Sequence, residues 1–102
     1  MTEPRVADNV RDSRFDITVN GELAGTLEYH RAGTTIELRH TLIDPRFEGR
    51  GLGSQIVREA LDSARAQGLA VLPTCPFTRG YIQRHREYVD LVPAAQRPDF
   101  DL

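Results

Sequence analysis

The chain has 102 residues, 39% hydrophobic and 27% charged, with a formal net charge of -2. That length suits one domain around one core, and the composition excludes a disordered chain. The balanced charge gives no bulk attraction to nucleic acid or to an anionic membrane, so any anion site must be local, and a single cysteine excludes an internal disulfide and points to a reducing, cytoplasmic setting.

Residues 1–13 are polar, carry no period and read as a loose lead-in. No apolar targeting segment stands there, and no stretch approaches the roughly 18 apolar residues of a membrane span. Phe15, Ile17 and Val19 then alternate with polar residues, the pattern of a half-buried strand. Asn20-Gly21 follows, a hairpin signal because both residues tolerate positive φ. A second strand over residues 22–31 is expected to set Leu23, Leu27 and Tyr29 on one face. Ala32-Gly33 turns the chain into a third strand over 34–43, with Ile36, Leu38, His40 and Leu42 on one face.

After Asp44-Pro45 the period changes. Leu52, Ile56, Val57, Ala60, Leu61 and Ala64 fall at helical spacing, and Gly68 stands where a left-handed C-terminal cap would be. Residues 70–74 form a short apolar strand, residues 78–85 a short helix, and residues 93–102 a fraying tail. A strand, crossover helix and strand in succession pair in parallel. The fold class is therefore α+β, with a mixed sheet made of an antiparallel meander and one βαβ unit, all within a single domain over 14–92.

The junction between strand and helix, Glu48-Gly-Arg-Gly-Leu-Gly-Ser54, is glycine-rich. A helix N-terminus offers unpaired N–H groups and partial positive charge to a phosphate, and glycines let backbone approach an anion closely. Arg46 and Arg50 can add charge and Ser54 a hydroxyl. A tight glycine-rich connection without a ligand fits the same residues. The spacing does not match a dinucleotide fingerprint, and without a Gly-Lys-Ser/Thr sequence it is no P-loop.

Residues 40–92, from His40-Thr41 through Arg50-Gly-Leu-Gly53 to Pro73-Thr-Cys-Pro-Phe77 and His85-Arg-Glu-Tyr88, resemble the small GCN5-related N-acetyltransferase-like (GNAT-like) family. Glu48 stands where that family usually has Arg, facing solvent or pairing with Arg46 or Arg50, and Arg86 replaces the Pro of a His-Pro-x-Tyr element. The resemblance implies acetyl-CoA held between two splayed parallel strands. Backbone of Leu42 and Ile43 would face the pantetheine, and Gly49, Arg50, Gly51, Leu52, Gly53 and Ser54 the pyrophosphate. Pro73 and Pro76 remove ladder donors and would stop pairing where the splay is needed.

The resemblance also makes Cys75 and His40 the candidate catalytic residues. His40 would deprotonate an incoming amine or activate the Cys75 thiol, which could accept the acyl group. Both also fit plain structural roles, as an inert buried thiol and a core histidine. Tyr81 either packs or protonates a leaving thiolate. No Cys and His spacing suits a metal. The expected function is acetyl-CoA-dependent N-acyl transfer to an unidentified amine or protein acceptor; the alternative is a non-catalytic CoA-binding or partner-binding module. Neither nucleic acid nor membrane is an expected partner, and the chain would be a monomer or homodimer.

Overall fold

The computed structural model describes residues 3–102. Five strands form one sheet in the order β1-β2-β3-β4-β5: β1 (Arg5–Asn9), β2 (Arg14–Val19), β3 (Glu22–Ala32), β4 (Thr35–Ile43) and β5 (Ala70–Pro73). The first four run antiparallel and β5 lies parallel to β4. Helix α1 (Leu52–Ala66) crosses from β4 to β5, and helix α2 (Pro76–Arg84) follows β5. Asn20 and Gly21 both take positive φ, 53° and 79°, and so close the β2–β3 hairpin as its sequence requires. Gly68, at φ 69°, ends α1, and Leu69 N–H reaches back 2.9 Å to the Ala64 carbonyl.

Hydrophobic burial holds these elements together. Ile56, Val57, Ala60, Leu61 and Ala64 line one side of α1 and are closed from solvent against Ile17, Leu27, Leu38 and Val71 of the sheet. The helix packs on β2, β3, β4 and β5. Each large aliphatic side chain buried in this way contributes on the order of 1.5–3 kcal/mol.

Three features depart from the sequence reading. Part of the segment read as a lead-in, Arg5–Asn9, is an edge strand paired with β2, and Tyr29 Oη donates to Asp8 at 2.6 Å. The tail is wound into a 3-10 segment over Ala94–Phe100, with Arg97 Nε donating to the Val92 carbonyl at 2.9 Å. Most consequential, β3 and β4 each contain a bulge. Thr18 pairs with Leu23 but Ile17 with Gly25, leaving Ala24 as the extra residue; Glu28 pairs with His40 but Tyr29 with Leu38, leaving Arg39 extra. One inserted residue exchanges the faces of everything beyond it. Leu23 is accordingly 43% exposed instead of sharing the core with Leu27 and Tyr29. His40 and Leu42 likewise leave the face of Ile36 and Leu38: His40 is exposed and Leu42 is 59% exposed.

Candidate functional site

The loop after β4 begins with a 3-10 turn, Pro45–Phe47, capped by the Asp44 carboxylate, which accepts the Arg46 N–H at 2.9 Å. Gly49 and Gly51 then take φ of 80° and 74°, values a side chain would oppose. Gly51 is the N-cap of α1 and brings no side chain to accept the first helical N–H groups. The earliest bond into the helix is Gln55 N–H to Gly51 O at 3.1 Å. Among the described residues, the backbone N–H groups of residues 49–54 have no acceptor. The loop residues other than Arg50 line a cavity of about 300 Å³ together with Ile43, Phe47 and Phe77.

The two arginines of the loop differ. Arg46 is bound to Asp44 at 3.2 Å and to Glu22 at 3.3 Å. Hydrogen bonding to Arg46 lowers the Asp44 pKa, and the reciprocal bond raises that of Arg46. Arg50 has no carboxylate partner among the described residues, and its guanidinium lies over the Phe47 ring, 5.3 Å from the centroid. Arg50 is thus the cation left free to meet an anion. Glu48 is exposed and lines the same cavity; it pairs with neither arginine among the described residues.

The parallel strands part beside this loop. Pairing of β4 with β5 covers Thr35–Leu38 against Ala70–Pro73, and one further link joins Cys75 N–H to the Leu38 carbonyl at 2.9 Å. From His40 to Ile43, β4 pairs with β3 on one edge and, among the described residues, with no strand on the other. Pro73, the last residue of β5, has no N–H to offer. Pro76 occupies the first turn of α2, so the chain turns into a helix instead of extending the ladder. Leu42 and Ile43 therefore present one backbone edge to an open gap.

Cys75 sits at the head of this gap as the N-cap of α2, and it is 2% exposed. Its sulfur lies 3.3 Å from Thr41 Oγ1. Burial pushes the Cys75 thiol pKa up. Hydrogen bonding from the Thr41 hydroxyl, helped by the amides at the start of α2, stabilises the thiolate more strongly, and the net shift is downward. Thr78 is 0% exposed, and its hydroxyl has no hydrogen-bond partner among the described residues.

The bulge at Arg39 decides which β4 side chain meets Cys75. Thr41, displaced onto the face of Leu38, takes the contact, while His40 stands on the opposite, exposed face and makes no hydrogen bond to the thiol. Tyr81 is buried and stacked on His85 with ring centroids 4.1 Å apart, and burial raises its pKa. That is a packing environment. Thr41, Thr78 and Phe77 escaped the sequence reading as individual functional residues. A bulge depends on the partner strand, so the strand's own alternation carries no signal for Thr41. Phe77 stood in view only as the end of the Cys-Pro-Phe run.

Against known proteins, a sequence profile described as GCN5-related N-acetyl-transferase matches residues 14–91. Protein NATD1 of Xenopus tropicalis is 25% identical over 83 residues, covering 79% of this chain and 76% of its own length. Among solved structures, an NMR solution structure of a GCN5-like protein from Staphylococcus aureus superposes with a TM-score of 0.66 at 18% identity, covering 87% of each chain. Ard1 from Thermoplasma volcanium gives a TM-score of 0.52 at 25% identity; the match covers 60% of this chain and only 43% of Ard1.

Proposed function

This chain belongs to the GCN5-related N-acetyltransferase family, and we propose that it transfers an acetyl group from acetyl-CoA to an amine. The observation that carries the proposal is the run of N–H groups at 49–54, without acceptors among the described residues, beside the unpaired edge of β4. A helix N-terminus with its donors free stabilises a pyrophosphate, and Arg50 adds the one uncommitted positive charge of the loop. The open edge at Leu42 and Ile43 is where a pantetheine arm, itself an amide chain, would replace the missing strand. Such an arm leads from the loop toward Thr41 and Cys75.

His40 acts from the exposed face, where an acceptor amine has access. It accepts the proton that the amine must lose before its lone pair attacks the thioester carbonyl. The C–N bond forms, the C–S bond breaks and the departing CoA thiolate takes up a proton. This direct route needs no bond between His40 and Cys75, in keeping with their positions. A second reading, transient acetylation of Cys75, is favoured by the downward shift of its thiol pKa and by its place at the head of α2. The acceptor is a small amine or a lysine-like group, and the chain works in the cytoplasm as a monomer or homodimer.

Calorimetry with acetyl-CoA and CoA, followed by thiol release against a panel of amines, tests the proposal. Binding together with amine-dependent release that falls in His40→Ala supports it. Binding with no release for any amine assigns the chain to a non-catalytic acyl-CoA-binding role. An acetyl adduct found by intact mass and lost in Cys75→Ala would establish the covalent route over direct attack.

A further inference from the structure

The three glycines of the loop are not there for one reason. Gly49 and Gly51 serve positive φ, and the space a side chain would take at either is open. Gly53 has an ordinary helical backbone, yet a Cβ there would stand 2.9 Å from Cζ and 3.2 Å from Cε1 of Phe77. The tip of the Phe77 ring is seated on the bare Cα of Gly53. It therefore bridges the first turn of α2 to the first turn of α1, across the mouth where β4 and β5 have separated. Phe77 also remains 43% exposed, unusual for a ring held in a close contact. It lines the loop cavity, whereas Cys75, two residues earlier and 2% exposed, does not.

We propose that Phe77 is an aromatic gate, seated on Gly53, that governs access from the loop cavity to the Cys75 thiol. The identity of the chain that passes it, a phosphopantetheine arm, rests on the acyl-CoA reading above; the gate itself does not. When the ring swings off Gly53, its exposed face becomes a flat apolar wall against which such an arm can lie. Opening lifts an already 43% exposed ring off one glycine, so it costs little and can be frequent. Gly53 is then glycine for the ring's sake. Pro76, fixed in the first turn of α2, sets the direction from which Phe77 reaches it.

The test is the rate at which iodoacetamide alkylates Cys75 in the ligand-free protein, with global stability measured in parallel by urea unfolding. Phe77→Ala removes the gate, and alkylation is expected to rise by about tenfold, beyond what any loss of global stability accounts for. Gly53→Ala leaves the ring in place but denies it its seat, so a similar rise is expected. Combined with Phe77→Ala, Gly53→Ala should add nothing. An unchanged rate in Phe77→Ala overturns the proposal. So does a rise fully explained by lost global stability, or an undiminished Gly53→Ala effect in the Phe77→Ala background. Should Phe77→Ala fail to fold, Gly53→Ala alone decides by the same rate. A further arm adds desulfo-CoA, which has no thiol to exchange: protection of Cys75 supports the acyl-CoA reading. Acceleration by the variants without protection by desulfo-CoA overturns that reading and leaves the gate standing.

Discussion

Gly25→Ala probes how the sheet shapes the site. Gly25 follows the β3 bulge and pairs with Ile17 on one side and Ile43 on the other. A Cβ added there would collide with the Ile43 side chain, come within 2.8 Å of the Leu42 carbonyl oxygen and within 3.2 Å of Ile17 Cγ2. Ile43 can turn a methyl group aside, but the Leu42 carbonyl belongs to the backbone of β4 and moves only with the strand. Overpacking of that kind costs about 1–3 kcal/mol, and the backbone clash puts this case near 2. For a domain of this size that is a fall in Tm of roughly 8–16 °C. Ile43 lines the loop cavity and also a second cavity of about 270 Å³ beside Leu23 and Leu42, so its displacement narrows both. Urea unfolding followed by circular dichroism, with an unchanged m-value, reads the stability, and calorimetry with CoA reads the site. A loss below about 0.5 kcal/mol, the range of an inert surface change, would refute the claim that the missing Cβ at Gly25 sets the position of the β4 end.

Two further outcomes follow from the ionisable groups. Tyr29, with burial and the Asp8 carboxylate, and Tyr88, with burial and the Asp62 carboxylate at 2.7 Å, are both raised to about 12. The folded chain keeps these protons above the ordinary tyrosine pKa of about 10, where the unfolded chain releases them. Their contribution is complete below pH 10 and disappears as pH rises toward 12, so stability measured by urea should drop over that interval. The Tyr29→Phe/Tyr88→Phe protein should lose less across it, and an equal loss would contradict the assignment. Thr41→Val removes the hydroxyl from the Cys75 sulfur, so the pH midpoint for alkylation of Cys75 should move upward; an unmoved or lower midpoint would show that Thr41 does not hold the thiolate.

Much of the fold could be read in the chain because its signals are local. Alternation at Phe15, Ile17 and Val19, the Asn20-Gly21 turn, the helical spacing from Leu52 to Ala64 and the Gly68 stop each depend on a few neighbouring residues. The edge strand at Arg5–Asn9 was hidden because its side chains are mostly exposed and need no apolar period. The bulges were hidden for a different reason. Which residue is extra depends on how many residues the partner strand sets opposite, and neither strand alone records it. That one unseen residue, Arg39, exchanges His40 for Thr41 at Cys75 and so alters the candidate chemistry more than any error in an element boundary. The glycine loop was legible as a tight strand-to-helix connection with unpaired amides, but only packing revealed that Phe77 is seated on Gly53, or that Arg46 is tied to Asp44 and Glu22 while Arg50 has no carboxylate partner among the described residues.

The central claim is that the amides of the loop hold the pyrophosphate of CoA. Titration of isotopically labelled protein with CoA, followed through backbone amide resonances, tests it most directly. Saturable shifts are expected, largest at residues 49–54 and extending to Leu42 and Ile43. No saturable shift at about millimolar CoA, a binding energy near -4 kcal/mol, or shifts confined to other parts of the chain, would contradict it.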